Sequence, residues 1–256
     1  MQNTQHQKLI IRWAVWGDSK HPRVAMLADS VHSFRRWFNS SLTEFIVVDG
    51  TDDGINLDLF LGAKVLKVGN PEKENYYVES AATWRKWMPT ARLLPGVPEL
   101  YVDSDVFCLK RPDDLITFLA TPGNSMVIMQ ESSPEWFCYG NSKQHLKSLP
   151  KVNAGLVGQQ SDLNIEHDLF KLFQRWLKNV GDKSGLFHDE QGSIAEICEN
   201  LASKKKLLLL PTKKYAVASP RTNSHLTVET DLAIVHCTYP DHPYYHLLKD
   251  RISRAQ

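Results

Sequence analysis

The chain has no long apolar run. Nowhere in its 256 residues does a hydrophobic stretch approach the roughly 20 residues that a membrane-crossing helix needs, so a membrane-bound substrate would have to be met from the water side. Residues 1–8 are polar and lack the apolar core of a signal peptide. Cysteine is scarce. Cys108, Cys138, Cys198 and Cys237 include no C-x-x-C pair and are too scattered for a disulfide framework. That favours a reducing compartment, and the expected location is cytoplasmic. An excess of either charge is missing too: 30 Lys and Arg stand against 29 Asp and Glu, which leaves no global field to steer the protein toward nucleic acid or a membrane surface. The basic run Lys204-Lys205-Lys206 precedes the apolar residues 207–210 and reads as a solvated helix end. Repeats and long linkers are absent as well, so one domain over residues 1–256 is the simplest organisation.

What is present is alternation. Residues 9–16, 44–48, 63–68 and 99–102 are short, apolar and followed by turn-like residues, the pattern of buried strands. Between them, Val24, Leu27, Val31 and Phe34 recur at helical spacing, as do Trp84, Trp87 and Met88. Such alternation implies an α/β fold with a mostly parallel sheet flanked by helices. Further on, 126–130, 152–157, 207–210 and 232–235 read as strands. Residues 163–177 form an amphipathic helix with Phe170, Phe173, Trp176 and Leu177 along one face, and about 190–201 form another helix. Residues 121–124 and 219–224 read as loops.

The sharpest local feature is the run Tyr101-Val102-Asp103-Ser104-Asp105-Val106-Phe107. Two acids spaced by one residue arise often by chance, but here an apolar strand runs directly into the pair and an apolar stretch resumes at once. In open α/β sheets ligands bind beyond the carboxyl ends of strands. Two carboxylates crowded there repel unless a cation sits between them. Hard oxygen ligands suit Mg²⁺ or Mn²⁺, which in turn bridge phosphate oxygens. The alternative is an exposed turn with two acids. A phosphatase reading, with the first Asp as nucleophile, fits poorly, because Phe107 stands where that motif has Thr and several strand–helix segments precede it.

Taken in order, the motifs resemble the retaining glycosyltransferases with the GT-A-type nucleotide-diphospho-sugar transferase fold, in particular the family of glycogenin and the bacterial lipooligosaccharide galactosyltransferases. The similarity runs over about residues 84–244. Its elements are Arg85 ahead of the strand, the acidic pair Asp103 and Asp105, Asn153-Ala154-Gly155, Asp189-Glu190-Gln191 opening a helix, and the tail His236-Cys237-Thr238-Tyr239-Pro240-Asp241-His242-Pro243-Tyr244. The resemblance implies a UDP-linked sugar donor, transfer with retention, and Mn²⁺ or Mg²⁺ held by Asp103, Asp105 and His236. A ligand set of two carboxylates and an imidazole favours Mn²⁺. The chain departs from the family pattern at Tyr239, where Gly is usual, at His242, where Lys is usual, and in the Asp189–Gln191 triplet.

The implied roles follow. Asn153 contacts donor or acceptor, and Asp189, Glu190 and Gln191 surround the anomeric carbon, although acids also suit a helix N-terminus on electrostatic grounds alone. Arg85, Ser104, Gly155 and His242 contribute to donor binding. Trp16 and Asp18 after the first strand, and Asp49 after the second, lie where a nucleoside would rest, though Asp-Gly is also an ordinary turn pair. Trp136, Phe137, Tyr139, Tyr244 and Tyr245 are candidate stacking partners for an acceptor sugar, or simply core. A glycan, lipopolysaccharide, a protein, a small molecule or a modified base all remain open as acceptor. Two rival classes are a sugar-nucleotide nucleotidyltransferase, which usually carries a Gly-rich loop where residues 17–23 hold one Gly, and a non-catalytic module on a decayed transferase scaffold.

Overall fold

The computed structural model describes residues 8–69, 79–121, 123–179, 188–218, 231–238 and 243–253. The first strand, β1 (Leu9–Gly17), shows why a sheet forms here. Its residues alternate between two buried faces: Ile11, Trp13 and Val15 pack with Val24, Leu27, Val31 and Phe34, while Ile10 packs on the other side with Ile46 and Val48. Only a strand covered on both faces is so uniformly apolar. Helix α1 (Pro22–Arg35) starts with Pro22 in its first turn and His21 as cap, accepting from the Arg23 N–H, a position where proline's missing donor costs nothing.

The remaining strands are β2 (Thr43–Thr51), β3 (Lys64–Lys67), β4 (Glu99–Val102), β5 (Val106–Cys108), β6 (Met126–Met129), β7 (Asn153–Gln159), β8 (Leu207–Leu209), β9 (Tyr215–Ala218) and β10 (Ile234–Cys237). Seven form the central sheet in the order β3-β2-β1-β4-β7-β6-β8. Strand β7 runs antiparallel to both neighbours, β4 and β6, and the other pairings are parallel. Strands β5, β10 and β9 make a second, smaller sheet. The helices after α1 are α2 (Asp113–Ala120), α3 (Glu166–Lys178), α4 (Asp189–Ser203) and α5 (Pro243–Ser253). The expected α/β fold, with a mostly parallel sheet flanked by helices, is what forms.

Several expectations need correction. The segment around Trp84 and Trp87 is a 3-10 helix, Glu79–Trp87, rather than an α-helix. Helix α3 begins at Glu166, with the Asn164 side chain accepting from the Glu166 N–H. Its inward face is Leu169, Phe173 and Trp176, leaving Phe170 exposed, because i, i+4 and i+7 share a face and Phe170 lies about 100° away. Strands β5 and β9 and helix α5 were not anticipated. The loop expected at 219–224 falls outside the described residues.

One buried ion pair ties the sheet to the segment that precedes the acidic motif. Arg12 and Glu99, on neighbouring strands, are both shielded from solvent, with Nε and Oε1 3.2 Å apart. Arg12 also donates to the carbonyls of Thr90 (2.6 Å) and Lys86 (3.3 Å), and its guanidinium sits 5.8 Å from the Trp87 ring and 5.6 Å from Tyr101. The backbone carrying Lys86 is therefore held by an arginine on β1. Removing one partner of such a pair leaves an uncompensated charge in the core. Glu99→Leu is expected to lower stability by about 3–5 kcal/mol, read from the urea midpoint at constant slope.

Candidate functional site

The two acids of the motif occupy the crossing from one sheet to the other. Strand β4 ends at Val102, β5 begins at Val106, and the turn between is closed by the Val106 N–H donating to the Asp103 carbonyl (3.2 Å). Both ends are pinned: the Asp103 N–H donates to the Gly155 carbonyl on β7 (2.8 Å), and the Asp105 carbonyl accepts from Cys237 N–H on β10 (2.8 Å). Asp103, Asp105 and His236 thereby converge, each offering one ligand atom within 4.8 Å of the others. Ser104, half-buried, sits between the acids. His236 Nε2 lies 3.1 Å from Asp105 Oδ1, and Tyr101 donates its hydroxyl to Asp103 Oδ1 (2.6 Å). Burial works to lower the His236 pKa, but Asp105 more than reverses this and the net direction is up. Burial and the Asp103 charge hold the Tyr101 hydroxyl well above its ordinary value, so it stays a donor.

Behind the pair stands Lys86. Its ammonium is 3.5 Å from Asp103 Oδ1 and 3.1 Å from Glu190 Oε2, and it donates to the Ala154 carbonyl (3.2 Å). Burial alone would lower its pKa; Asp103 and Glu190 outweigh it and raise the pKa instead, so the lysine is charged. Glu190 also accepts from the Trp87 indole (2.7 Å), and burial raises its pKa against the opposing pull of Lys86.

The triplet at the start of α4 divides by role. Asp189 turns inward, its oxygens accepting from the Trp176 indole and the Asn141 N–H, both at 2.6 Å. Gln191 bridges backbone, accepting from Ala154 N–H (3.1 Å) and donating to the Cys138 carbonyl (3.2 Å). Glu190 alone reaches the lysine beside the acidic pair. Asn153 accepts from Gly155 N–H (2.9 Å), stands 2.8 Å from His236 Nδ1, and donates to Glu131 Oε2 (2.8 Å). Gly155 is required by close approach: a Cβ there would lie 2.4 Å from His236 Nδ1.

The expected nucleoside contacts form a second group at the carboxyl ends of β1 and β2, with Trp16 and Asp49 inside the last residues of those strands rather than after them as expected. Trp16 lies over Gly50, where a Cβ would meet the indole at 1.8 Å, and the Arg85 guanidinium sits 6.0 Å from the Trp16 ring. Asp18 is exposed and caps its own turn through Lys20 N–H (2.8 Å). Asp49 has the bonding of the turn alternative. Only 2% exposed, it accepts from Thr51 N–H (2.9 Å), Thr51 Oγ1 (2.6 Å) and Ile55 N–H (3.3 Å), with Lys67 at 3.4 Å. Of the candidate stacking residues, Tyr139, Tyr244 and Tyr245 are core, with Tyr245 donating to Asp29 (2.7 Å). Trp136 and Phe137 are exposed. His242 and Tyr239 lie outside the described residues.

Lys86 and Glu131 were missed in the sequence. Lys86 adjoins Arg85 in a segment whose 3-10 winding places neighbours on different sides. Glu131 had a readable signal. It follows the apolar strand β6, which runs parallel to β4, so both strands deliver an acid to the same sheet edge.

No family model matches the chain, and no curated protein matches it in sequence. Solved structures do. Mouse xyloside xylosyltransferase 1 superposes with a TM-score of 0.55 at 14% identity, over 93% of this chain and 99% of that one. The galactosyltransferase LgtC, in complex with donor and acceptor sugar analogues, gives 0.57 at 16%, over 96% and 94%. The bifunctional glycosyltransferase WbbM gives 0.61 at 9%, over 100% of this chain and 50% of that one. The fold is that of the GT-A glycosyltransferases.

The Gly155 contact yields a direct test. Gly155→Ala must displace the imidazole from its present position. If the cluster holds a divalent cation, as proposed below, its affinity is expected to fall by about tenfold or more while the protein stays folded. Titration calorimetry with Mn²⁺, with circular dichroism as the folding control, reads both.

Proposed function

We propose that this protein is a glycosyltransferase that moves a sugar from a nucleoside-diphosphate donor to an acceptor, with Asp103, Asp105 and His236 as the ligands of a divalent cation. The observation that carries the reading is the convergence of those three side chains at the β4–β5 crossing, at the sheet edge where this class of fold binds ligands. Two carboxylate oxygens and an imidazole nitrogen suit Mn²⁺, and Mg²⁺ less well. When bound, the cation supplies neutralisation of the charge that develops on the departing diphosphate.

The chain's own residues divide the remaining work. Tyr101 orients Asp103 by its hydroxyl bond. Lys86, charged and largely buried, adds fixed positive potential beside the diphosphate and aims Glu190 through their ion pair. Glu190 is a carboxylate next to the cluster that is not one of the proposed ligands. In our reading, held by Lys86 and Trp87 and buried, it acts through its negative potential on the positive charge growing at the anomeric carbon of the donor sugar. The Trp16–Arg85 pair offers a flat face and a cation at the carboxyl end of β1, suited to a nucleoside and its phosphates; the donor we favour is UDP-linked, transferred with retention. Trp136 and Phe137, exposed near the N-terminus of α4, where Phe137 packs its edge on His188 at 5.4 Å, supply a surface for an acceptor sugar.

The rival nucleotidyltransferase reading loses ground in the loop after β1. There Lys20, His21 and Arg23 N–H groups bond within the turn and are not presented to a phosphate. Three outcomes are expected. Mn²⁺ plus UDP raises the melting temperature of the native protein by mass action. Asp105→Ala abolishes that rise, and unchanged calorimetric binding in this variant overturns the ligand assignment. Glu190→Gln keeps UDP binding but slows metal-dependent release of UDP from the donor sugar roughly a hundredfold or more; an undiminished rate removes Glu190 from the reaction.

A further inference from the structure

We propose that Glu131, acting through the Asn153 side chain, fixes the tautomer and ring orientation of His236 and so presents Nε2 to the acidic pair. The idea rests on the metal reading above only in what the presented nitrogen is for. The geometry stands by itself. A carboxylate only accepts, so the end of the Asn153 amide 2.8 Å from Glu131 Oε2 must be its NH₂. The backbone N–H of Gly155 only donates, so the end 2.9 Å from it must be the carbonyl oxygen. The two neighbours agree, and a flipped amide would set oxygen against oxygen and N–H against N–H at once.

With Oδ1 so placed, only a donor can approach it. His236 Nδ1, 2.8 Å away, therefore carries the proton. Asp105 Oδ1, 3.1 Å from Nε2, is likewise an acceptor, so without a cation Nε2 carries a proton too; where a cation takes that proton's place, Nδ1–H stays with Asn153 and the Nε2 lone pair is the one presented. Asn153 is 4% exposed and His236 is 7% exposed, which leaves little room for water to replace either bond. The absence of a Cβ on Gly155 lets the ring pack against this amide. Groups behind a metal-binding histidine commonly set which nitrogen is free. Here the chain runs Glu131, Asn153, His236, and its first member starts beyond a different strand from either acid. Glu131 is thus a positioning residue, with no ligand contact required.

Two measurements test this. The ¹⁵N shifts of His236 in metal-free protein are assigned by loss of signal in His236→Gln. They should report a proton held on Nδ1 in the wild type and a mixture of Nδ1–H and Nε2–H forms in Glu131→Ala. Calorimetry with Mn²⁺ should show Glu131→Ala binding roughly ten- to a hundredfold more weakly. Asn153→Asp alone, which sets two carboxylates face to face, should also bind weakly. The double variant E131Q/N153D should recover, because the introduced amide donates to the introduced carboxylate. Recovery is a non-additivity that loss of packing at both positions would not produce. An Nε2–H tautomer in the wild type, undiminished affinity in Glu131→Ala, or a double variant no tighter than Asn153→Asp would each overturn the relay. If the wild type binds no Mn²⁺ the metal reading fails, and the tautomer measurement still decides the relay.

Discussion

The site is governed by one electrostatic constraint: Asp103, Asp105 and Glu190 are brought to one end of the sheet with little water to separate them. Like charges so placed raise each other's cost of ionisation unless positive charge is interleaved. The chain supplies two such charges by itself, Lys86 between Asp103 and Glu190 and His236 against Asp105. They differ in kind. The lysine is strongly held in its charged form by the acids around it, whereas an imidazole exchanges a proton for a cation without moving. The fold thus contains a permanent countercharge on one side of the acidic turn and a replaceable one on the other. The replaceable one lies on the same side as the small sheet.

That division follows from topology. The crossing from β4 to β5 leaves the central sheet and enters the small one, so the two acids face different neighbours. Asp103 is backed by β7 through Gly155 and by the Lys86 segment, which Arg12 holds from β1. Asp105 is backed by β10 through Cys237, which brings His236 with it. An isolated acidic pair in a surface loop would have none of this. Its carboxylates would be solvated, and the penalty that makes a cation welcome would vanish.

Much of this arrangement is readable in the residues, because the strongest signals are local. An apolar strand running into Asp103 and Asp105, and a histidine following the apolar residues of β10, announce themselves by hydrophobic pattern. What was not legible depends on partners distant in sequence. Strand β5, Val-Phe-Cys, and strand β9, Tyr-Ala-Val-Ala, are too short for their period to show; they exist because β10 pairs with both. Asp49 and Asp189 have the residue type and strand- or helix-end position of site residues, yet each spends both oxygens on the local backbone or an indole. Pattern alone does not tell an acid that faces a ligand from one that braces the loop beside it.

The helix α4 makes the same point from within three consecutive residues. On a helix, successive side chains project about 100° apart, so Asp189, Glu190 and Gln191 cannot share a target. One must meet α3, one the sheet edge and one the backbone between. Trp176 and the 136–144 segment claim the first, and Ala154 and Cys138 claim the third. Glu190 is left with Lys86 and Trp87. The flanking pair acts with the buried apolar face of α4, Ile194, Ala195, Ile197, Cys198 and Leu201, to hold the rotation of the helix about its axis, and that rotation decides which carboxylate stands beside the acidic turn. A substitution at Asp189 or Gln191 would therefore loosen the first turn of α4 and with it the aim of Glu190 at Lys86.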